Sequence, residues 1–158
     1  MVICCKKIAN LALLNSKWKT MIIAVDFDGT IVEHKYPEIG DELPFATYTL
    51  RMLAQQQHRL ILWTVRRGKL LDEAVEWCRK RGVEFYAVNR NFPEEVLDGG
   101  NCYGKINAEL FIDDLNLGGI PDWGVIYKMI TENKDWQDIY REQFAEDRPV
   151  KKKKRWLW

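Results

Sequence analysis

MIIAVDFDGTIVEH, residues 21–34, runs a buried-looking strand straight into a pair of carboxylates. Ile22, Ile23, Ala24 and Val25 form an unbroken apolar run, the pattern of an interior parallel strand covered on both faces. The strand ends in Asp26-Phe27-Asp28-Gly29-Thr30. Side chains alternate along an extended chain, so Asp26 and Asp28 point the same way, and Gly29 allows a sharp turn. Two like charges held that close cost free energy unless a cation or a proton resolves the repulsion. A solvated strand end is a poor explanation of such a pair.

Working outward, the rest of the chain alternates strands with helices. FATYTLRMLAQQQH (residues 45–58) predicts a helix with Tyr48, Met52 and Leu53 among its spaced apolar positions and Pro44 at its start. RLILWTV (59–65) reads as the second strand. RRGKLLDEAVEWCRKRG (66–82) is an amphipathic helix with Leu70, Leu71, Ala74, Val75 and Cys78 on one side and Gly82 as its stop. VEFYAVN (83–89) predicts a third strand and AELFIDD (108–114) a fourth, which again ends in acids. WGVIYKMI (123–130) fits either a fifth strand or a helix, and DWQDIYREQFAED (135–147) closes the domain. This alternation predicts a single Rossmann-like α/β sandwich of three layers around a mainly parallel sheet.

The chain has 158 residues, 47% of them hydrophobic, enough for one domain with an ample core. Its net charge of +1 is unevenly distributed. Four of the 24 Lys and Arg lie in residues 1–20 and five in residues 151–158, leaving 15 against all 23 acids in between. The expected organisation is therefore a basic N-terminal extension (1–20), an acidic domain (21–147) and a basic tail (148–158). An acidic body argues against a nucleic-acid groove and for a cation-dependent site. The extension reads as dispensable, with a docking helix as the alternative. The tail KKKKRWLW reads as solvated, with an acidic membrane surface or nucleic acid as rival contacts. Cys4, Cys5, Cys78 and Cys102 have no zinc-ligand spacing and fit reduced thiols in a cytoplasmic protein. No apolar run is long enough to span a bilayer.

Ligands of open parallel sheets collect at the carboxyl ends of the strands. Those ends carry Asp26 and Asp28, Thr64, and Asp113 and Asp114. Several carboxylates in one crevice suit a hard cation, and Mg2+ is the natural choice because it takes one or two carboxylates plus phosphate oxygens. Beside such an ion a carboxylate can attack phosphorus, while a second carboxyl group handles the proton of the departing oxygen. A hydroxyl and a lysine would hold the phosphoryl oxygens. Lys105, shortly before the fourth strand, fits that part, and Lys69 competes for it. Arg66 and Arg67 follow Thr64 directly, so one of them is placed to reach substrate, with helix-flanking surface charge as the alternative. His34 and His58 read as surface residues.

In order along the chain, DFDGT, the Thr of LILWTVRRG, the Lys of YGKI and the acids of FIDD resemble the four motifs of the haloacid dehalogenase-like (HAD) hydrolase superfamily, over roughly Ile22 to Pro121. The resemblance implies that Asp26 is a nucleophile forming an aspartyl-phosphate and that Asp28 is the general acid and base, also meeting the metal through its backbone carbonyl. It implies Thr64 and Lys105 as phosphoryl holders, Asp113 and Asp114 as completing a Mg2+ site, and Gly29, Thr30 and Arg66 as substrate contacts. An acid at position 28 favours phosphatases over dehalogenases. Specificity in that superfamily resides in inserted cap domains. Only 36 positions separate Asp28 from Thr64 and 41 separate Thr64 from Lys105, too few for a cap. The chain thus resembles the short capless bacterial phosphatase type, whose open sites receive large substrates or are covered by a neighbouring subunit. The expected activity is Mg2+-dependent hydrolysis of a phosphomonoester, on a small molecule or an accessible phosphate of a macromolecule. The rivals are phosphoryl transfer to another acceptor and a non-catalytic module that binds a phosphorylated ligand.

Overall fold

A computed structural model of the chain describes residues 20–95 and 106–146. The opening apolar run forms β1 (Ile22–Val25), and the other strands are β2 (Arg59–Leu62), β3 (Ala87–Val88) and β4 (Leu110–Ile112). Their order in the sheet is β3-β2-β1-β4, and every pairing is parallel. The central position of β1 explains its apolar run, since Ile23, Ala24 and Val25 are all buried. Register follows from that burial. Val25 lies level with Leu62 of β2 and with Ile112 of β4, so the three strands finish at one edge.

Four helices complete the described chain: α1 (Ala46–Gln55), α2 (Gly68–Arg79), α3 (Trp123–Glu132) and α4 (Trp136–Glu146). Residues 123–130, open to either reading in sequence, are helical, and Trp123, Ile126 and Ile130 recur on the buried side of that helix. In α1 the inward positions are Ala46, Leu50 and Leu53, while Tyr48 is 54% exposed, so its aromatic ring belongs to the outer face and not to the core. The helix begins two residues after Pro44, behind a left-handed Phe45, and the Glu42 carboxylate accepts hydrogen bonds from the Thr47 N–H and hydroxyl.

The two faces of the sheet differ. Ile23, Val25, Leu60 and Leu62 join inward residues of α1, α2 and α3 in one large cluster. Ala24 and Ile61, pointing the other way, join Ala87 and Ile106 in a smaller one, against which the partly buried Ile22, Trp63, Tyr86, Ala108 and Phe111 pack. The connection from β3 to β4 includes residues 96–105, which lie outside the described residues. The third strand is shorter than its sequence suggests: only Ala87 and Val88 pair as a strand, and Asn89 ends it at φ +51°. His58, expected at the surface, is buried and its Nδ1 accepts a hydrogen bond from the Met21 N–H. Burial lowers its pKa. Cys78 is a buried free thiol, pushed up to about 12 by burial, which keeps it unreactive. Among the described residues no helix is long and apolar enough to cross a membrane. No cap domain interrupts the described chain: the segment from β1 to β2 holds one helix, α1. The extension 1–20, apart from Thr20, and the tail 148–158 lie outside the described residues.

Candidate active site

Because β1, β2 and β4 finish level, the residues that follow each strand emerge along one edge. The chain runs from β1 to β2 on one side and returns to place β4 on the other, so a crevice opens at the point where the strand order reverses. It has a volume of about 300 Å³ and is lined by Asp26, Asp28, Thr64, Asp113 and Asp114, together with His34, Trp63, Val65, Arg67 and Leu115. A larger cavity of about 440 Å³ lies beyond β4, floored by Ile126, Met129 and Ile130. It shares only Asp113 with the acidic set, so the carboxylates meet in the smaller crevice.

Asp26, Asp113 and Asp114 each offer a carboxylate oxygen within 4.8 Å of the others. Burial pushes Asp26 up to about 7; the Phe27 backbone N–H opposes the rise, and the charges of Asp113, Asp114 and Asp28 add to it. A carboxylate left so high by burial and like charge is one whose ionised form a cation would rescue. Three convergent oxygens from acidic side chains match a hard ion such as Mg2+.

Local structure explains how the acids are held. The Asp26 N–H donates to the Ile112 carbonyl at 3.0 Å, locking the end of β1 to β4. The Asp114 N–H donates to Thr30 Oγ1 at 3.0 Å, and the Asp113 carboxylate accepts from the Leu115 N–H at 2.8 Å. Gly29 sits at φ +87°, and a Cβ there would lie 2.2 Å from Asp114 Oδ2. Glycine is therefore required twice at this position, by its backbone angle and by the approach of the carboxylate.

Of the residues expected to touch substrate, Gly29, Thr30 and Arg66 are put to other uses. Thr30 is fully buried; its hydroxyl takes the Asp114 N–H, and its carbonyl accepts from Trp123 Nε1 at 3.0 Å. It joins the acidic loop to α3. Arg66 is also fully buried and does not line the crevice. Its guanidinium makes a two-pronged ion pair with Asp28, Nε to Oδ2 and Nη2 to Oδ1, both 2.7 Å. Arg67 lines the crevice in its place. Asp28 is 5% exposed and stands outside the three-carboxylate group, its side chain engaged by arginine.

Thr64 is where the sequence puts it, at the crevice wall and 8% exposed. Its N–H donates to Asn89 Oδ1 at 2.8 Å, and its hydroxyl oxygen accepts from the Arg66 N–H at 3.2 Å. Sequence reasoning passed over Asn89; the available signal was an asparagine, a residue that tolerates positive φ, at the end of a strand. His34, read as a surface residue, is exposed and forms part of the wall. Lys105 lies outside the described residues. Lys69 is highly exposed and 3.6 Å from Glu73 on its own helix, away from the crevice.

No family model and no curated protein matches the chain. A solved structure does: a conserved protein from Bacteroides thetaiotaomicron, 63% identical, superposes with a TM-score of 0.71 over 77% of this chain and 98% of that one.

Proposed function

The chain belongs to the family of that conserved Bacteroides thetaiotaomicron protein, and from this premise and the crevice chemistry we propose that it is a Mg2+-dependent phosphomonoester hydrolase of the HAD type, working through a phosphorylated Asp26. The observation that carries the reading is the meeting of Asp26, Thr64, Asp113 and Asp114 from the ends of three parallel strands in one crevice.

Asp26 supplies the nucleophile. A carboxylate oxygen forms a bond to phosphorus as the bond from phosphorus to the ester oxygen breaks. Asp28, on the same wall and protonated from solvent before the step, gives that proton to the departing oxygen. A water oxygen then bonds to phosphorus as the bond from phosphorus to the Asp26 oxygen breaks, and Asp28 takes the proton of that water. Thr64 has its hydroxyl oxygen occupied as an acceptor by the Arg66 N–H, so its hydrogen is left to donate to a phosphoryl oxygen. Asp26, Asp113 and Asp114 would hold Mg2+, which when bound offsets the charge of the carboxylates and of the phosphoryl group. Arg67 adds positive charge at the rim, and Lys105 is proposed as a further phosphoryl contact. Among the described residues no cap covers the crevice, so water reaches it, which favours hydrolysis over transfer to another acceptor.

The test is phosphate release from a panel of phosphomonoesters, with Mg2+ and with chelator, by the wild type and Asp26→Asn. Release that needs Mg2+ and disappears in the variant supports the reading. Release that survives either change overturns it.

A further inference from the structure

We propose that Arg66 is the positioning residue for Asp28, fixing that carboxylate at the crevice wall and tying it to the segment Tyr36–Glu38. The inference rests on the phosphatase reading of the crevice and adds to it the device that keeps the acid and base in place.

Arg66 is 0% exposed, and nearly every group it presents is engaged. Nε and Nη2 hold the two oxygens of Asp28. Nη1 donates to the Pro37 carbonyl at 2.9 Å, and Nη2 also donates to the Glu38 carbonyl at 2.8 Å. The rings of Phe27 and Tyr36 lie 5.1 and 5.3 Å from the guanidinium carbon. The backbone N–H of the same residue meets the Thr64 hydroxyl. One side chain and its own amide thus touch both groups that would face a phosphoryl ester from this side, and anchor them to a loop.

Burying an ion pair is a poor way to gain stability, because apolar side chains of similar volume do as well or better. What the pair supplies is geometry. Asp28 shares its crevice with Asp26, Asp113 and Asp114, whose charges favour its turning away. A planar fork bonded to both carboxylate oxygens removes that freedom, and lysine cannot reproduce it.

The test compares an alkyl phosphomonoester with p-nitrophenyl phosphate, both with Mg2+, for the wild type, Arg66→Lys, Asp28→Asn and Asp28→Asn/Arg66→Met. Nitrophenolate leaves without a proton, whereas an alkoxide needs one. Arg66→Lys is expected to lower kcat on the alkyl ester about 100-fold, the scale of lost acid–base help, with KM within about twofold. On the aryl ester kcat/KM should fall by less than about tenfold. In the double variant, Arg66→Met should add less than about threefold to the loss caused by Asp28→Asn alone, since the two residues act as a unit. That background leaves no unpaired carboxylate behind, so it carries the test if Arg66→Lys fails to fold. Equal losses on both esters, or a further loss of more than about threefold in the double variant beyond that of Asp28→Asn, mean that Arg66 serves the fold or the substrate directly and overturn the inference alone. A wild-type chain that releases phosphate from neither ester overturns the phosphatase reading, and this inference with it.

Discussion

Asp26 and Asp28 stand two residues apart on one strand end, and their surroundings are opposite. Asp28 is 5% exposed, yet both its oxygens are held by the buried guanidinium of Arg66. Asp26 is partly buried among Asp113, Asp114 and Asp28, and burial pushes it up to about 7. The chain brings its own cation to one carboxylate, and in the proposed reading leaves the other to an ion from solution. Groups so arranged are costly to the fold, and that cost is the usual mark of a working site.

The sharpest way to break this contrast is Asp26→Asn. Turnover should fall by at least about 10³-fold, as expected for loss of a covalent nucleophile. The same variant should be more stable without metal. Folding raises the Asp26 pKa from 3.8 to about 7, so the folded state keeps a proton that the unfolded chain has already released. Stability from this group is greatest below pH 3.8, declines as pH rises to about 7 and stays low above it. At pH 8, with chelator present, thermal unfolding of Asp26→Asn should therefore lie about 3 °C or more above wild type. A lower melting temperature would show that burial does not penalise the ionised carboxylate.

Asp113→Asn tests the other side of the cluster. Removing one charge should raise the Mg2+ concentration needed for half-maximal activity about 100-fold, since even indirect supports of a metal ligand are worth 10 to 100-fold. An unchanged Mg2+ titration would place the ion elsewhere. Gly29→Ala is subtler, because it adds one methyl group 2.2 Å from Asp114 Oδ2 and strains a backbone at φ +87°. A rise of about tenfold in the Mg2+ concentration needed for half-maximal activity and a stability loss of about 1–2 kcal/mol are expected, the second read by denaturant titration. Asn89→Ala should have the smallest effect. It removes the side-chain acceptor for the Thr64 N–H, and kcat should fall about fivefold with Mg2+ dependence intact, the value of one neutral hydrogen bond.

Much of this architecture is legible in the sequence because it rests on local signals. A continuous apolar run ending in Asp-x-Asp-Gly identifies the central strand and its turn, and the two other strand ends carry Thr64 and the Asp113–Asp114 pair in plain view. The uses of Thr30 and Arg66 are not legible, because they depend on partners far away in the chain. Thr30 is 84 residues from Asp114, and Arg66 is 38 from Asp28. A buried arginine beside a strand end has the same sequence pattern as an exposed one, since periodicity reports faces of elements and not the direction of a loop side chain. Tyr48 illustrates the converse: it counts among the spaced apolar positions of α1, yet Ala46, Leu50 and Leu53 fill the inward stripe and Tyr48 faces outward.

The most direct test of the account is to stop the reaction with acid and look for the phosphoryl group. The chain is mixed with Mg2+ and a phosphomonoester that it turns over, quenched, digested and mass-measured. The account predicts one added phosphoryl on the peptide carrying Asp26, absent without Mg2+ and absent in Asp26→Asn. Turnover with the phosphoryl group on another residue, or unchanged turnover by Asp26→Asn, would contradict it.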